Sequence, residues 1–239
     1  MTNPLILKLA HRDQLTVEEK QALETAIARV RHVDADEDIV REGTRPAESN
    51  LLLEGFAARY KILSNGRRQI TAIHVTGDFV DLNSFLLKQM DHGVAALTPC
   101  RIAVVPHEAL QRISEGQPHL TRMLWLSTLI DGAIQREWLV AMGRRSALGH
   151  FAHLLCELFL RLEAVGQTDG QRFRLPVTQV ELGDTLGLSS VHVNRVVQEL
   201  RSKGMITWTG DVVTILDWAE LRKEADFDPT YLYLNREAR

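Results

Sequence analysis

The chain has 239 residues, 45% of them hydrophobic and 25% charged, with 15 glycines and 7 prolines, which excludes a disordered, collagen-like or fibrous polymer and allows one large or two modest domains. Its 28 lysines and arginines stand against 31 aspartates and glutamates, a net charge of −3, so it is no general polycation, and any binding of nucleic acid must rest on locally placed positive charge. Two cysteines, Cys100 and Cys156, make neither a disulfide framework nor a C-x-x-C metal or redox pair, and two ordinary buried thiols are expected.

The first residues, MTNPLILKLAHRDQL, are broken by Lys8, Arg12 and Asp13, so no leader peptide is expected. No stretch reaches the roughly 18 uncharged apolar residues of a membrane span; Leu120 to Ala141 comes nearest but carries Arg122, Asp131, Arg136 and Glu137. A cytoplasmic chain without membrane contact is the expectation.

Thr16 and Glu19 form a capping box for a helix running to about Val30, with Leu23, Ile27 and Val30 at helical spacing. From Arg31 to about Pro118 glycines fall at 43, 55, 66 and 77, between short β-prone runs such as Leu51–Leu53 and Ile70–Val75. That rhythm predicts an all-β sandwich or roll. Asn65-Gly66 is its clearest hairpin signal, read as a two-residue type I′ turn.

A long helix follows, from about Pro118 to Gly143. Leu120, Met123, Ser127, Ile130, Ile134, Trp138 and Ala141 trace one apolar stripe down it, read as the seam against an identical helix of a second subunit. Leu124, Trp125, Leu126 and Leu129 add apolar surface on other sides, and a purely intramolecular core helix is the alternative. A further helix spans about Ser146 to Ala164, and residues 165–170 read as a polar loop.

The most informative stretch is Leu175 to Leu200. Thr178 and Glu181 form a second capping box, Leu182 and Leu186 give the first helix an apolar side, Gly183 admits a close neighbour, and Gly187 supplies the stop. Ser189 caps a second helix whose buried face is Val193, Val196, Val197 and Leu200. This is the pattern of a DNA-binding helix-turn-helix, whose second helix enters the major groove. Arg195 has the fork that bonds guanine O6 and N7, Asn194 suits an adenine or a phosphate, and Val191 can pack on a thymine methyl. His192 is a further base or phosphate contact, while Thr178, Gln179, Ser189 and Ser190 suit phosphates that fix register. Two β-prone runs around Gly210-Asp211 then read as a wing. From Gly143 to Gly210 basic residues outnumber acidic ones by two, reversing the sign of the whole chain.

The arrangement resembles the Crp/Fnr family of bacterial transcription regulators. The resemblance rests on Thr76-Gly-Asp-Phe79, on Ala96 to Pro106 and on Leu186-Gly-Leu-Ser-Ser-Val-His-Val-Asn-Arg195. It implies an α+β chain in three parts. Residues 1–117 would form an N-terminal helix and a double-stranded β-helix sensor, a jelly-roll-like β-roll of the cyclic-nucleotide-binding kind. Residues 118–145 would form a dimerisation helix, and residues 146–239 a winged helix-turn-helix domain. It further implies a homodimer on a near-palindromic double-stranded DNA site, contact with RNA polymerase, and a small-molecule effector in the roll.

Departures from the family pattern bear on that effector. Nucleotide-binding members carry Gly-Glu-Leu and later Arg-Ser or Arg-Thr to hold the cyclic phosphate; here Asp81, Leu82, Asn83 and Ser84 occupy the first position, the candidate ligand residues, and Lys88 to Gly93 offers no arginine. Cyclic AMP is therefore not the expected ligand. Two cysteines cannot hold an iron–sulfur cluster that needs four thiolates. Many members have Glu where this chain has Val191, so a different half-site is expected. No cofactor is assigned; haem through His74, cyclic nucleotide, and oxidant sensing by Cys100 stay open as lesser alternatives.

His150, His153 and Cys156 share a helix, but six residues turn the chain by 600°, so Cys156 points away from His150 and no metal site is expected. No catalytic residues are assigned, since neither a nucleophile–base pair nor a phosphate-cradling glycine loop is present. The rival to a DNA-binding regulator is a small-molecule-binding or adaptor protein acting through protein contacts.

Overall fold

The structure, a computed structural model, describes residues 3–238. A helix α1 (Pro4–Ala10), which hydrophobic periodicity did not predict, is capped by the Asn3 side chain, with Pro4 at the first helical position where its missing N–H is not needed. The predicted capping box starts α2 (Val17–Thr25): Thr16 accepts from the Glu19 amide and Glu19 from the Thr16 amide. The helix stops at Thr25 rather than near Val30, because residues from Arg29 onward pair as a strand and their backbone bonds are taken up there.

Two antiparallel sheets form the roll. Strands β1 (Arg29–Val33), β2 (Asp38–Val40), β3 (Glu48–Glu54), β4 (Ala57–Ile62) and β5 (Arg68–His74) precede a short helix α3 (Ser84–Leu87). Strands β6 (Gly93–Ala96) and β7 (Cys100–Pro106) complete it, in the orders β1-β7-β3 and β2-β6-β4-β5. Leu52, Val80, Val94, Ile102 and Val104 fill the space between the sheets. The Asn65-Gly66 hairpin is present but is not a type I′ turn: only Gly66 takes positive φ (+81°), and its amide donates to Leu63 O at 2.9 Å. The connection thus needs one left-handed residue, not two. Residues 107–116, expected to continue the β texture, are instead α4 (His107–Gly116), which buries Ala109, Leu110 and Ile113 against α1 and α2.

The long helix α5 (Pro118–Arg144) matches its predicted span, but its expected subunit seam does not. Leu120, Met123, Ile130, Ile134, Trp138 and Ala141 are all at most 7% exposed. The first two pack with Leu5, Leu9 and Leu110, and Ile130, Ile134 and Trp138 join a core with Ile70, Ile73, Phe151 and Leu155. Ser127, half-buried, bonds Met123 O. That stripe therefore faces the protomer's own body. The exposed face of the same helix carries Trp125, Leu129, Gly132, Arg136, Leu139 and Gly143, spaced alternately by four and three residues, with Val140 and Met142 beside them. Hydrophobic periodicity reveals both stripes without saying which one the roll covers.

The C-terminal part packs α6 (Ala147–Glu163) under a four-stranded sheet. It contains β8 (Thr168–Asp169), β9 (Arg172–Arg174), the helices α7 (Gln179–Leu186) and α8 (Ser190–Ser202), and the wing strands β10 (Ile206–Thr209) and β11 (Val212–Ile215). The expected polar loop at 165–170 contains β8, which pairs with β9 and extends the wing sheet. A last helix α9 (Trp218–Glu224) and a 3-10 turn (Pro229–Leu232) close the chain.

The roll and this part are joined by a buried ion network. Arg161 of α6 bonds Asp78 at 2.7 Å, Ile73 O at 2.9 Å and Glu157 at 2.9 Å, Lys8 of α1 pairs with the other oxygen of Asp78, and Glu157 also accepts from Trp138 and Tyr231. Burial alone would raise the Asp78 carboxyl, but Lys8 and Arg161 hold it well below the usual carboxylate range. Removing one partner of such a network strands a buried charge.

His150 and His153 are buried in α6, where burial and then Arg145 lower them to about 4 and about 3. The His153 ring lies 5.1 Å from that of Phe227 and 5.8 Å from that of Tyr231, and burial pushes the nearby Cys156 thiol up to about 12. Because the unfolded chain protonates these histidines near 6.5 while the folded chain does not, stability falls as pH drops from about 6.5 towards 4. Each contributes about 1.4 kcal/mol per pH unit in that window. His153→Phe keeps the ring stack and removes one of several titrating groups, since burial also lowers His74, His92 and His107, so the loss of Tm between pH 6 and pH 4 is expected to be smaller than in the parent by the share of that one group; an unchanged slope in thermal melts would contradict this.

Candidate nucleic-acid interface and effector cavity

In the helix-turn-helix the Thr178 side chain accepts from the Glu181 amide, the Glu181 carboxylate accepts from the Thr178 amide, and Gly187 ends α7 at φ +69°. Ser189 then accepts from the His192 amide and starts α8. Leu182, Leu186, Val193, Val196, Val197 and Leu200 are buried together, which fixes the angle between the two helices. A Cβ on Gly183 would stand 2.6 Å from Leu188 O, a backbone atom that cannot rotate away. Gly183→Ala is therefore expected to cost about 1–3 kcal/mol, read as a lower denaturation midpoint, and an unchanged midpoint would show that the turn can yield.

The buried face leaves one surface outward. Thr178, Gln179, Ser189, Ser190, Val191, Asn194 and Arg195 are exposed, Val191 at 79%, and His192 is half-buried. Val180, not singled out in the sequence, joins them at 61%. Arg174 is engaged by Asp211, and Lys203 by Glu199 and Glu224, whereas Arg195 has no hydrogen bond or ion pair among the described residues. An exposed, uncommitted guanidinium at the start of a helix is what groove recognition requires.

A second feature lies between the roll and α5: a cavity of about 650 Å³. Of the four candidate ligand residues, Leu82 and Asn83 line it, and Asp81 and Ser84 do not. Asp81 is fully buried and accepts from the Asn50 amide and side chain at 2.6 and 2.8 Å, with burial pushing its carboxyl up to about 6. Ser84 is buried against Ser49 and His107. Those two hold the loop rather than face a ligand, because the turn into α3 points them back into the roll.

His74 of β5, weighed in the sequence as a haem ligand, lines the cavity, and with it stand polar groups that spacing in the sequence did not reveal: Arg59 and Lys61 from β4, His92, and Thr128, Asp131 and Gln135 from α5. Only the alternation of β4 hinted at Arg59 and Lys61 on one face. Arg59 bonds Asp131 at 2.9 Å, Lys61 is held by Glu42 and Asp91 O, and Arg161 and Lys8 by Asp78. Each cation of the wall is thus already engaged, and a cyclic phosphate would have to break an ion pair to be held, so the residues do not fit that ligand. Arg59 Nε, His74 Nε2 and His92 Nε2 have no hydrogen-bond partner among the described residues. Cys100 lies apart, its thiol donating to Phe56 O and Thr98 O and pushed up by burial, which is the opposite of a reactive thiolate.

The cyclic nucleotide-binding domain description matches residues 30–117, and the Crp-like helix-turn-helix domain description matches residues 150–224. The chain is 28% identical to the transcriptional activator protein anr of Pseudomonas aeruginosa over 91% of its own length and 87% of that protein's. It is 25% identical to the fumarate and nitrate reduction regulatory protein of Vibrio cholerae, over 88% and 84%. The structure of FixK2 from Bradyrhizobium japonicum superposes with a TM-score of 0.74 at 23% identity, covering 82% of this chain and 96% of that one.

Proposed function

The chain belongs to the Crp/Fnr family of transcription regulators, and from that premise we propose that it acts as a cytoplasmic homodimer that reads a near-palindromic site on double-stranded DNA. The family is one of regulators, not enzymes. The observation that carries the reading is the capped helix-turn-helix with Val191, Asn194 and Arg195 exposed together and Arg195 uncommitted. Val191 in place of a hydrogen-bonding residue favours a thymine methyl in the half-site.

The dimer is supported by the outward face of α5. Trp125, Leu129 and Leu139 are 65%, 56% and 68% exposed, and their heptad spacing is that of a two-helix seam. Pairing two copies there places two reading helices on one duplex, as half-sites about 34–36 Å apart require. The seam and the cavity share α5, since Gly132 and Leu139 belong to both. An effector in the cavity would therefore bear on the subunit interface, and its chemistry is that of a polar molecule other than a cyclic phosphate. Contact with RNA polymerase completes the reading, supported by relatives named as transcriptional activators.

Salt dependence tests the DNA-binding step without knowledge of the operator. Anisotropy of a labelled duplex is expected to give a log–log plot of affinity against salt with a slope of about −3 or steeper; a flat line would contradict phosphate contact by this surface.

A further inference from the structure

We infer that Arg68 and Gln69, which belong to the sensor roll, are positioning residues for DNA binding: they hold the back of α7 so that the reading face of α8 stands outward in a fixed orientation. The contact is direct. Arg68 Nε bonds Asp184 Oδ2 at 2.8 Å, Gln69 Nε2 donates to Thr185 O at 3.3 Å, and both Arg68 and Asp184 are more than two-thirds covered. Beneath these polar contacts Ile70 and Ile73 share one core with Leu182 and Leu186. The other end of the same strand is gripped by α6 through the Arg161 bond to Ile73 O at 2.9 Å. Strand β5 is thus clamped by two helices of the DNA-binding part, while Thr71 and His74 on it line the cavity.

The sign of the effect follows from what the docking leaves free. All docking atoms lie on the back of α7, whereas Gln179, Val180, Val191, Asn194 and Arg195 are exposed. The docked arrangement obstructs none of the reading surface, so the contact pre-organises the domain and its loss must be made good on binding DNA. In a dimer the same contact, made twice, sets the separation of the two reading helices.

The inference rests on the palindrome-reading dimer and is tested on the full-length chain with the palindromic duplex that it selects from a random pool. Arg68→Glu faces Asp184 with a like charge and is expected to weaken binding by about tenfold and to blunt the discrimination against palindromes with one base pair added between the half-sites. The double variant R68E/D184R should restore both affinity and spacing preference. A merely stabilising role would change the melting temperature without changing spacing preference. Should R68E melt early, Gln69→Ala and Asp184→Asn remove the contacts without adding repulsion and carry the same expectation at smaller size. Variants that bind as tightly as the parent or more so, or a double variant no better than the single one, overturn the inference. A parent chain that selects no palindrome overturns the reading beneath it instead.

Discussion

Arg195→Ala is expected to lower affinity by about tenfold to a hundredfold per half-site, compounded over the two half-sites of the selected operator, and to relax the choice of base at one position of each. The magnitude is that of one bidentate arginine–guanine contact, about 1–3 kcal/mol, lost from each subunit's reading helix. The fold should be untouched, because the side chain is exposed and makes no bond among the described residues, so thermal melts of variant and parent should coincide. Competition against operators substituted one base at a time checks the claim. Undiminished binding, or a uniform loss with no change in base preference, would reassign Arg195 to the phosphate backbone or away from DNA.

The second large effect concerns the seam. Leu129→Asp and Leu139→Asp place a carboxylate on the exposed apolar face of α5. Each should give a folded monomer in sedimentation that binds the full palindrome at least about a hundredfold more weakly, since linked half-site binding is lost. Ile134→Asp behaves differently: Ile134 is 7% exposed within the protomer's own core, so a charge there should unfold the chain rather than split a dimer. A dimer that persists in the Leu129 and Leu139 variants would count against this seam.

The comparison of those variants shows how far the sequence could be read. The helix-turn-helix was legible nearly residue by residue, because each of its devices is local: Thr178 with Glu181, Gly187, Ser189 and the spacing of Val193 to Leu200 all act within a few residues of one another. The roll was legible as a class through its glycine rhythm, although α4 and the true form of the Gly66 hairpin were not, since strand pairing and helix docking decided them. The orientation of α5 was out of reach, because two apolar stripes of similar strength run down one helix and only the tertiary fold says which is covered. The cavity was least legible: Arg59, His74, His92 and Asp131 come from β4, β5, the segment before β6, and α5. Asp81 and Ser84, which stand where nucleotide-binding members carry their ligand motif, serve the loop itself.

The most direct measurement of the central claim is selection of duplexes from a random pool by the purified full-length chain, followed by sequencing. The account predicts enrichment of an inverted repeat whose half-sites lie one helical turn apart, about 10 to 10.5 base pairs between centres, bound by two chains per duplex. An enriched motif without two-fold symmetry, or none at all, would contradict it.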